Sequence, residues 1–252
     1  MTVQALIAAR MGSSRFPGKS LADLHGKAML ERMIERIRVS SRIEGVVLAT
    51  TDLPEDDPLQ QWAESLGVGC YRGSAEDVLG RLRGAAEAYE MQTVVEMLGD
   101  NPLVHVDLID AAVDHYMDGE YDYVATLTDE YPKAEATLRR FPIGVRVQVF
   151  SAEALQRCEE MAKNPDNREH ATSFIAEHPE VFKTGFVEAN GAFSSLNRPE
   201  LTFAVNYREN LDLIRAIFSH CYDDASNFDL SSAIEAYDNN PDMQRLMGVP
   251  GT

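Results

Sequence analysis

Residues 3–24 read VQALIAARMGSSRFPGKSLADL, an apolar run that leads directly into a cationic loop. The run VQALIAA has the length of a strand and no polar alternation, so it predicts a buried parallel strand. The loop that follows carries three cations and two glycines: Arg10, Arg15, Lys19, Gly12 and Gly18. Glycines let backbone N–H groups approach a ligand closely, and the cations favour an anionic one. We therefore expect an anion site at the carboxyl end of the first strand.

The charge of the whole chain sharpens this expectation. Its 252 residues include 41 Asp and Glu against 23 Lys and Arg, a net charge of -18 at pH 7, yet no acid precedes Asp23. Nucleic-acid backbones and anionic membranes repel so acidic a protein, so we expect neither as a partner. The loop instead predicts a site for a small polyanion such as a phosphate chain. A solvated turn with ordinary surface cations is the alternative.

Cysteine usage and hydropathy indicate the compartment. Cys70, Cys158 and Cys221 are far apart and lack C-x-x-C spacing, which predicts reduced thiols rather than disulfides or a zinc site. No signal-like segment opens the chain, and no apolar run approaches the ~18 residues that span a bilayer. We expect a cytoplasmic protein.

Strands and helices alternate along the first half of the chain. VVLATT at 46–51 predicts a second buried strand, and KAMLERMIERIRVS before it predicts a crossover helix with one apolar face. The helix that begins in SAEDVLGR is predicted to be capped by Ser74. This alternation continues to about residue 127 and predicts an α/β fold, a doubly wound and mostly parallel sheet with ligands at the carboxyl ends of its strands.

The second half of the chain is less regular. Over about residues 129–200 the alternation breaks, which we interpret as a lid or dimerisation insert within a single domain of residues 1–252. LTFAV at 201–205 predicts a further strand, and about residues 220–252 predict a helical tail.

The cationic loop is not a P-loop. Five residues separate Gly12 from Gly18, whereas the Walker A motif has four, and no helical pattern begins at Lys19. The phosphates would have to be held by another kind of loop.

Several motifs together carry a resemblance to one family. ARMGSSRFPGKSL resembles the signature loop of the acylneuraminate and 3-deoxy-manno-octulosonate cytidylyltransferases, especially their spore coat polysaccharide biosynthesis protein F-like branch. The motifs RGSAEDVLGRLRGAAEA, GDNPLV, FPIGVRVQVFSAEAL, REHAT and LTFAVNYRENLDLI follow in the family's order. The resemblance covers residues 5 to about 216. It implies a Rossmann-like fold of the nucleotide-diphospho-sugar transferase type and a homodimer.

The resemblance also implies a reaction, the transfer of CMP from CTP to a sugar acid or related anionic acceptor in surface polysaccharide synthesis, with release of pyrophosphate. Such chemistry needs charge neutralisation at the phosphates by cations and Mg²⁺. The implied catalytic residues are Arg10, Arg15, Lys19 and Asp100. The implied nucleotide-binding residues are Ala9, Gly12, Ser13, Ala49, Thr50, Asp77 and Arg81. The implied acceptor-binding residues are Arg146, Gln148 and His170, and the implied Mg²⁺ ligands are Asp100 and Asn206.

The chain departs from its family mainly on the acceptor side. Asn206 stands where an aspartate is usual, Arg146 and Gln148 replace the two acids of a G-x-D-x-E strand, and Glu96 replaces a common arginine. If Arg146 and Gln148 line the acceptor pocket, that pocket is more positive than usual. We then expect an acceptor with an extra or stronger anionic group.

Other interpretations fit individual residues. Asp77 is equally a helix cap or half of an i,i+4 ion pair with Arg81, and His170 is more often a structural residue on a short helix. A GT-A type glycosyltransferase would use a D-x-D motif, for which Glu120-x-Asp122 is the nearest match. A catalytically impaired descendant that still binds nucleotide is the remaining alternative.

Overall fold

The apolar run at the start of the chain forms the middle of a seven-stranded sheet. The structure, a computed structural model, describes residues 2–130, 137–222 and 228–247. In chain order the strands are β1 (Val3–Ala8), β2 (Asp23–Leu24), β3 (Lys27–Ala28), β4 (Gly45–Thr51), β5 (Gly69–Gly73), β6 (Thr93–Leu98), β7 (Tyr123–Thr126), β8 (Gln148–Ser151) and β9 (Thr184–Val187). The hairpin of β2 and β3 stands apart from the main sheet, whose order is β5-β4-β1-β6-β8-β7-β9.

The helices occupy the connections that the alternation predicts. They are α1 (Met29–Ile37), α2 (Asp57–Ser65), α3 (Val78–Ala88), α4 (Val106–Asp118), α5 (Ala152–Met161), α6 (Pro165–Glu169), α7 (Ser173–Glu177), α8 (Arg208–Cys221), α9 (Leu230–Asp238) and α10 (Pro241–Met247). Within the three described ranges, no helix has the length and apolar character that crossing a bilayer requires.

The sheet has apolar layers on both of its faces. Along β1, Ala5 and Ile7 pack into one buried cluster and Leu6 into the other. A strand whose two faces are both covered has no place for polar alternation, which explains the continuous apolar run. Strand β8 is antiparallel to its neighbours β6 and β7, and the other pairings in the sheet are parallel. The predicted fold class, a mostly parallel α/β sheet, is confirmed.

Three local predictions need correction. The segment 201–205 is not a strand and has only an isolated bridge from Thr202 to Ile143, since its residues bond to loop backbone instead. The cap of α3 is Asp77, whose side chain accepts the Gly80 N–H, while the Ser74 hydroxyl accepts N–H groups one turn earlier.

The third correction concerns the segment 129–200, interpreted as an insert. It supplies β8 and β9 to the main sheet, so much of it belongs to the body of the fold. A role as a lid or dimer contact stays a prediction, and residues 131–136 of the expected loop lie outside the described residues. The helical tail is present as α9 and α10, while residues 223–227 and 248–252 are also outside the described part.

Candidate active site

A cavity of about 560 Å³ opens at the carboxyl ends of β1 and β6, where ligands of parallel sheets bind. The first loop lines it with Ala9, Arg10, Ser13, Arg15 and Lys19, and the segment after β6 adds Asp100. Asn206 precedes α8 and lines the same cavity, although it is 191 residues from Arg15 in the chain. The fold therefore brings the predicted phosphate loop and both predicted metal ligands together.

Two cations of the loop contact the two predicted metal ligands. Lys19 Nζ lies 2.8 Å from Asp100 Oδ2 and donates to the Val205 carbonyl at 2.7 Å. Arg15 Nη2 donates to Asn206 Oδ1 at 2.7 Å, and its guanidinium lies 5.4 Å from the Tyr207 ring centre. Lys19 is thus paired with an acid that is 81 residues away in the chain.

Arg10 and Arg81 are neighbouring cations in this cavity. Burial, followed by the like charge of Arg10, lowers the pKa of Arg81, whose Nη1 donates to the Ser74 carbonyl at 2.6 Å. The Arg10 side chain makes no ion pair or hydrogen bond with the described residues. Two like charges on one cavity wall favour an anionic ligand between them.

Asp77 contacts a different cation from the one expected. One of its oxygens caps α3 by accepting the Gly80 N–H at 2.9 Å, and the other pairs with Arg168. The interpretation of Asp77 as a helix cap is confirmed, and that of an Asp77–Arg81 ion pair is wrong. Asp77 does not line the cavity, so a nucleotide contact by its side chain stays a prediction.

A buried carboxylate anchors the cationic loop, and the sequence analysis missed it. Asp56 is fully buried, and its Oδ1 accepts the Met11 N–H at 2.6 Å. Its Oδ2 accepts the Thr50 hydroxyl at 2.9 Å, the Thr51 N–H at 3.0 Å and the Thr51 hydroxyl. Asp56 thus ties the start of the loop to the end of β4. In sequence it is one acid in an acidic turn, LPEDD, with nothing to distinguish it from its neighbours.

Three other predicted nucleotide contacts lie behind the lining of the cavity. Ala49 and Thr50 are fully buried at the end of β4, and Thr50 bonds to Asp56. Gly12 has the Glu55 carboxylate against it, on the side where a Cβ would point. In this conformation these residues shape and support the wall, and direct contact with a nucleotide stays a prediction.

The predicted acceptor-binding residues separate into two groups. His170 lines the cavity at the end of α6, beside Glu169. Arg146 and Gln148 are buried and do not line it. Arg146 Nη2 donates to the Tyr123 hydroxyl at 3.0 Å, and the Gln148 amide donates to Glu96 Oε2 at 3.0 Å. The physical reason is that β8, with Gln148 at its first position, lies between β6 and β7 inside the sheet.

Arg146 lies near two acids inside the protein. Burial raises the pKa of Glu96 to about 7, against the opposing effect of Arg146. Burial likewise raises the pKa of Glu130, and Arg146 again opposes the shift. The guanidinium is buried, contacts the Tyr123 hydroxyl and does not line the cavity, so in this conformation it does not meet an acceptor there. The basis for expecting an extra anionic group on the acceptor is therefore removed.

The donor set fits Mg²⁺ only with help from a substrate. Among the described residues, no group of three or more His, Cys, Asp or Glu side chains is arranged to hold a metal. Asp100 and Asn206 offer one carboxylate and one amide oxygen, both hard ligands on the same cavity wall. Mg²⁺ is commonly held in this way, by one or two protein oxygens together with phosphates and water.

The nearest match to a glycosyltransferase motif lies elsewhere. Asp122 immediately precedes β7 and so lies at the amino end of that strand. Because β6 and β7 are both antiparallel to β8, they run in the same direction, and the cavity lies at the opposite, carboxyl end of β6. The Asp122 carboxylate accepts from Arg157 at 2.8 Å and from the Lys183 N–H at 2.9 Å. These contacts give the motif a structural role.

Comparison with known proteins identifies the class. The family model described as cytidylyltransferase matches residues 4–190, and the chain belongs to that family. It is 30% identical to an uncharacterized protein of Methanocaldococcus jannaschii, over 98% of this chain and 94% of that one. This membership confirms the resemblance carried by the sequence motifs.

A curated relative and a solved structure are similar to nearly the whole chain. The chain is 28% identical to the spore coat polysaccharide biosynthesis protein SpsF of Bacillus subtilis, over 94% of each chain. It is also similar to the structure of a cytidylyltransferase from Leptospira borgpetersenii, with a TM-score of 0.86 and 26% identity over 99% of this chain and 98% of that one. The likeness extends along nearly the whole chain, beyond the part that the family model matches.

Proposed function

We propose that the protein transfers CMP from CTP to a sugar acid or related anionic acceptor and releases pyrophosphate, as a step in making a surface polysaccharide precursor. The observation that carries this proposal is the meeting of Arg10, Arg15 and Lys19 with Asp100 and Asn206 in one cavity of a cytidylyltransferase fold. A triphosphate needs clustered cations, and Mg²⁺ held beside it would need hard oxygen ligands from the protein.

The triphosphate would lie against the first loop. Arg10, which has no ion pair or side-chain hydrogen bond with the described residues, can bind it, and Lys19 and Arg15 have further N–H donors for phosphate oxygens beside their protein partners. Charged donors fixed at the end of a strand need little rearrangement when charge moves onto the leaving pyrophosphate. The buried Asp56 would keep the loop in place throughout, because it holds the Met11 N–H.

Asp100 and Asn206 would hold Mg²⁺, which supplies charge neutralisation at the phosphates when bound. The acceptor hydroxyl oxygen attacks the α-phosphorus of CTP and forms a P–O bond as the bond to the pyrophosphate oxygen breaks, and the hydroxyl proton is released to solvent. The attacking and leaving oxygens must be in line for this displacement. We assign the acceptor to the side of the cavity lined by Glu169 and His170, across from the first loop.

The acceptors to test first are ordinary sugar acids, since the buried Arg146 does not line the cavity. The test incubates the protein with each of the four NTPs, Mg²⁺ and a panel of sugar acids, phosphosugars and phosphonates, and follows pyrophosphate. We expect release with CTP and one sugar acid class. Release with no acceptor, while CTP still binds, would favour the impaired descendant. Release with a purine nucleotide alone would refute the proposal.

We extend the proposal to a homodimer that acts in the cytoplasm, as the family resemblance implies. Light scattering of the purified protein tests the oligomer, and a mass of one 28.0 kDa chain at micromolar concentration would refute it.

A further inference from the structure

An ion pair joins the two sides of the cavity. Asp77 caps α3 and Arg168 lies in α6, 91 residues further along the chain. Arg168 Nη2 contacts the Asp77 carboxylate and also lies 3.1 Å from Glu159 Oε1, while its Nη1 donates to the Glu159 carbonyl at 3.0 Å. The guanidinium thereby connects the start of α3 with the end of α5.

Both ends of this ion pair are next to residues that line the cavity. Glu76 precedes Asp77, and Arg81 follows it in the first turn of α3. Glu169 and His170 follow Arg168 directly. The ion pair therefore sets the separation between the α3 wall and the α6 wall, although neither of its members lines the cavity.

Gly80 adds an independent observation. It lies inside α3, where glycine costs about 1 kcal/mol relative to alanine. A Cβ on Gly80 would lie 2.9 Å from Asp77 Cγ, closer than such atoms approach, and 3.1 Å from Arg168 Nη2, a tight contact that requires the neighbour to shift. Glycine at this position leaves the space that the ion pair occupies.

We propose that Asp77 and Arg168 are positioning residues for the transfer reaction, which hold Glu169 and His170 at a fixed distance from the nucleotide side of the cavity. The inference rests on the proposed function. Reacting groups must be held close and in line, and a displacement of about 1 Å can cost up to ~10²-fold in rate. The ion pair supplies that constraint on α6, a helix of only five residues.

The test compares Asp77→Asn, Arg168→Gln and the double variant. Asparagine still accepts the Gly80 N–H as a good helix cap, so Asp77→Asn removes the charge and leaves the cap. With CTP, Mg²⁺ and a sugar acid, we expect each single variant to lower kcat about tenfold and the double variant to lower it no further. The calorimetric Kd for CTP should change less than twofold. Gly80→Ala should lower kcat in the same direction, even though alanine favours the helix.

The matched control is Arg157→Gln, which removes an arginine that pairs with Asp122 away from the cavity. We expect it to keep the parent kcat. The inference would be overturned if the double variant lowered kcat by the product of the two single effects. It would also be overturned if kcat were unchanged in both single variants.

Hydrogen exchange of residues 165–172 gives a readout that needs no turnover. We expect the same increase in exchange in Asp77→Asn and Arg168→Gln and none in Arg157→Gln. If the parent turns over no acceptor, the proposed function fails, whereas exchange confined to this segment still supports the positioning role. Unchanged exchange in both variants would overturn the inference even if the parent is an active enzyme.

Discussion

Replacing Lys19 with alanine tests the proposed mechanism most directly. The ammonium lies 2.8 Å from Asp100 Oδ2 and 2.7 Å from the Val205 carbonyl, and its side chain is only 13% exposed. Water that enters the space left by alanine supplies neither the charge nor the fixed direction of this donor. Removal of one preorganised donor of this kind typically costs ~10²–10³ in kcat, or about 3–4 kcal/mol of transition-state stabilisation.

The effect of Lys19→Ala on folding should be much smaller. The Asp100 side chain loses its partner but stays 23% exposed, so water can solvate part of the carboxylate. A partly exposed ion pair contributes about 1 kcal/mol, which in a chain of this length shifts Tm by about 2–4 °C. We therefore expect a kcat at least ~10²-fold lower, with a Tm within a few degrees of the parent.

The assay follows pyrophosphate release with CTP, Mg²⁺ and the accepted sugar acid, with thermal unfolding measured alongside. Lys27→Ala is the matched control, because Lys27 lies 3.1 Å from Glu31 and also pairs with Glu35, outside the cavity. It removes the same charge and should leave kcat unchanged. A Lys19→Ala kcat within threefold of the parent would refute the phosphate assignment.

Three further predictions follow from the same contacts. Asp56→Asn should raise the KM for CTP and lower Tm, since an amide cannot accept all of the hydrogen bonds that the carboxylate accepts. An unchanged KM with a lower Tm would limit Asp56 to a structural role. Calorimetric titration with Mg²⁺ should give tighter binding of CTP than of ATP or GTP, and equal affinities would contradict the family's pyrimidine preference. Burial raises the pKa of Glu96 from 4.5 to about 7, so the stability that its protonated form contributes is complete below pH 4.5 and is lost as pH rises through about 7. Between pH 5 and 8, the free energy of unfolding of the parent, measured with urea, should therefore fall by up to about 3 kcal/mol relative to that of Glu96→Gln. If the unfolding free energies of the two proteins change in parallel with pH, the raised pKa of Glu96 is contradicted.

The parts of the fold that could be predicted depend on local sequence. The first strand is buried on both faces, so its continuous apolar run is visible without knowledge of its partners. Arg10, Arg15 and Lys19 fall within ten residues, and the prediction of an anion site follows from the loop's charge and its place after a strand. Helices such as α4 and α8 have an apolar face that the sequence shows directly.

The parts that could not be predicted depend on contacts between distant segments. Asp56 is 45 residues from Met11, and nothing near it in the chain indicates which backbone group it binds. A family motif that includes Arg146 and Gln148 predicts them as lining residues. Gln148 instead lies in β8, between two other strands, and Arg146 is buried two residues before it. LTFAV has strand composition but no neighbouring edge to pair with along its length, and composition alone does not supply one.

The distribution of charge around the cavity bears on how a substrate would be oriented. Of the four cations that line it, Lys19 has an acid within ion-pair distance among the described residues, while Arg15 and Arg81 bond to neutral oxygens. The loop wall therefore keeps a positive charge although the chain as a whole carries -18. Such a local field attracts a polyanion to that wall specifically. On the α6 side, Glu169 repels phosphates and accepts hydrogen bonds from hydroxyl groups. On the proposed function, this polarity directs the triphosphate to the first loop and leaves the α6 side to the hydroxyl groups of the acceptor, whose own carboxylate would face the cations rather than Glu169.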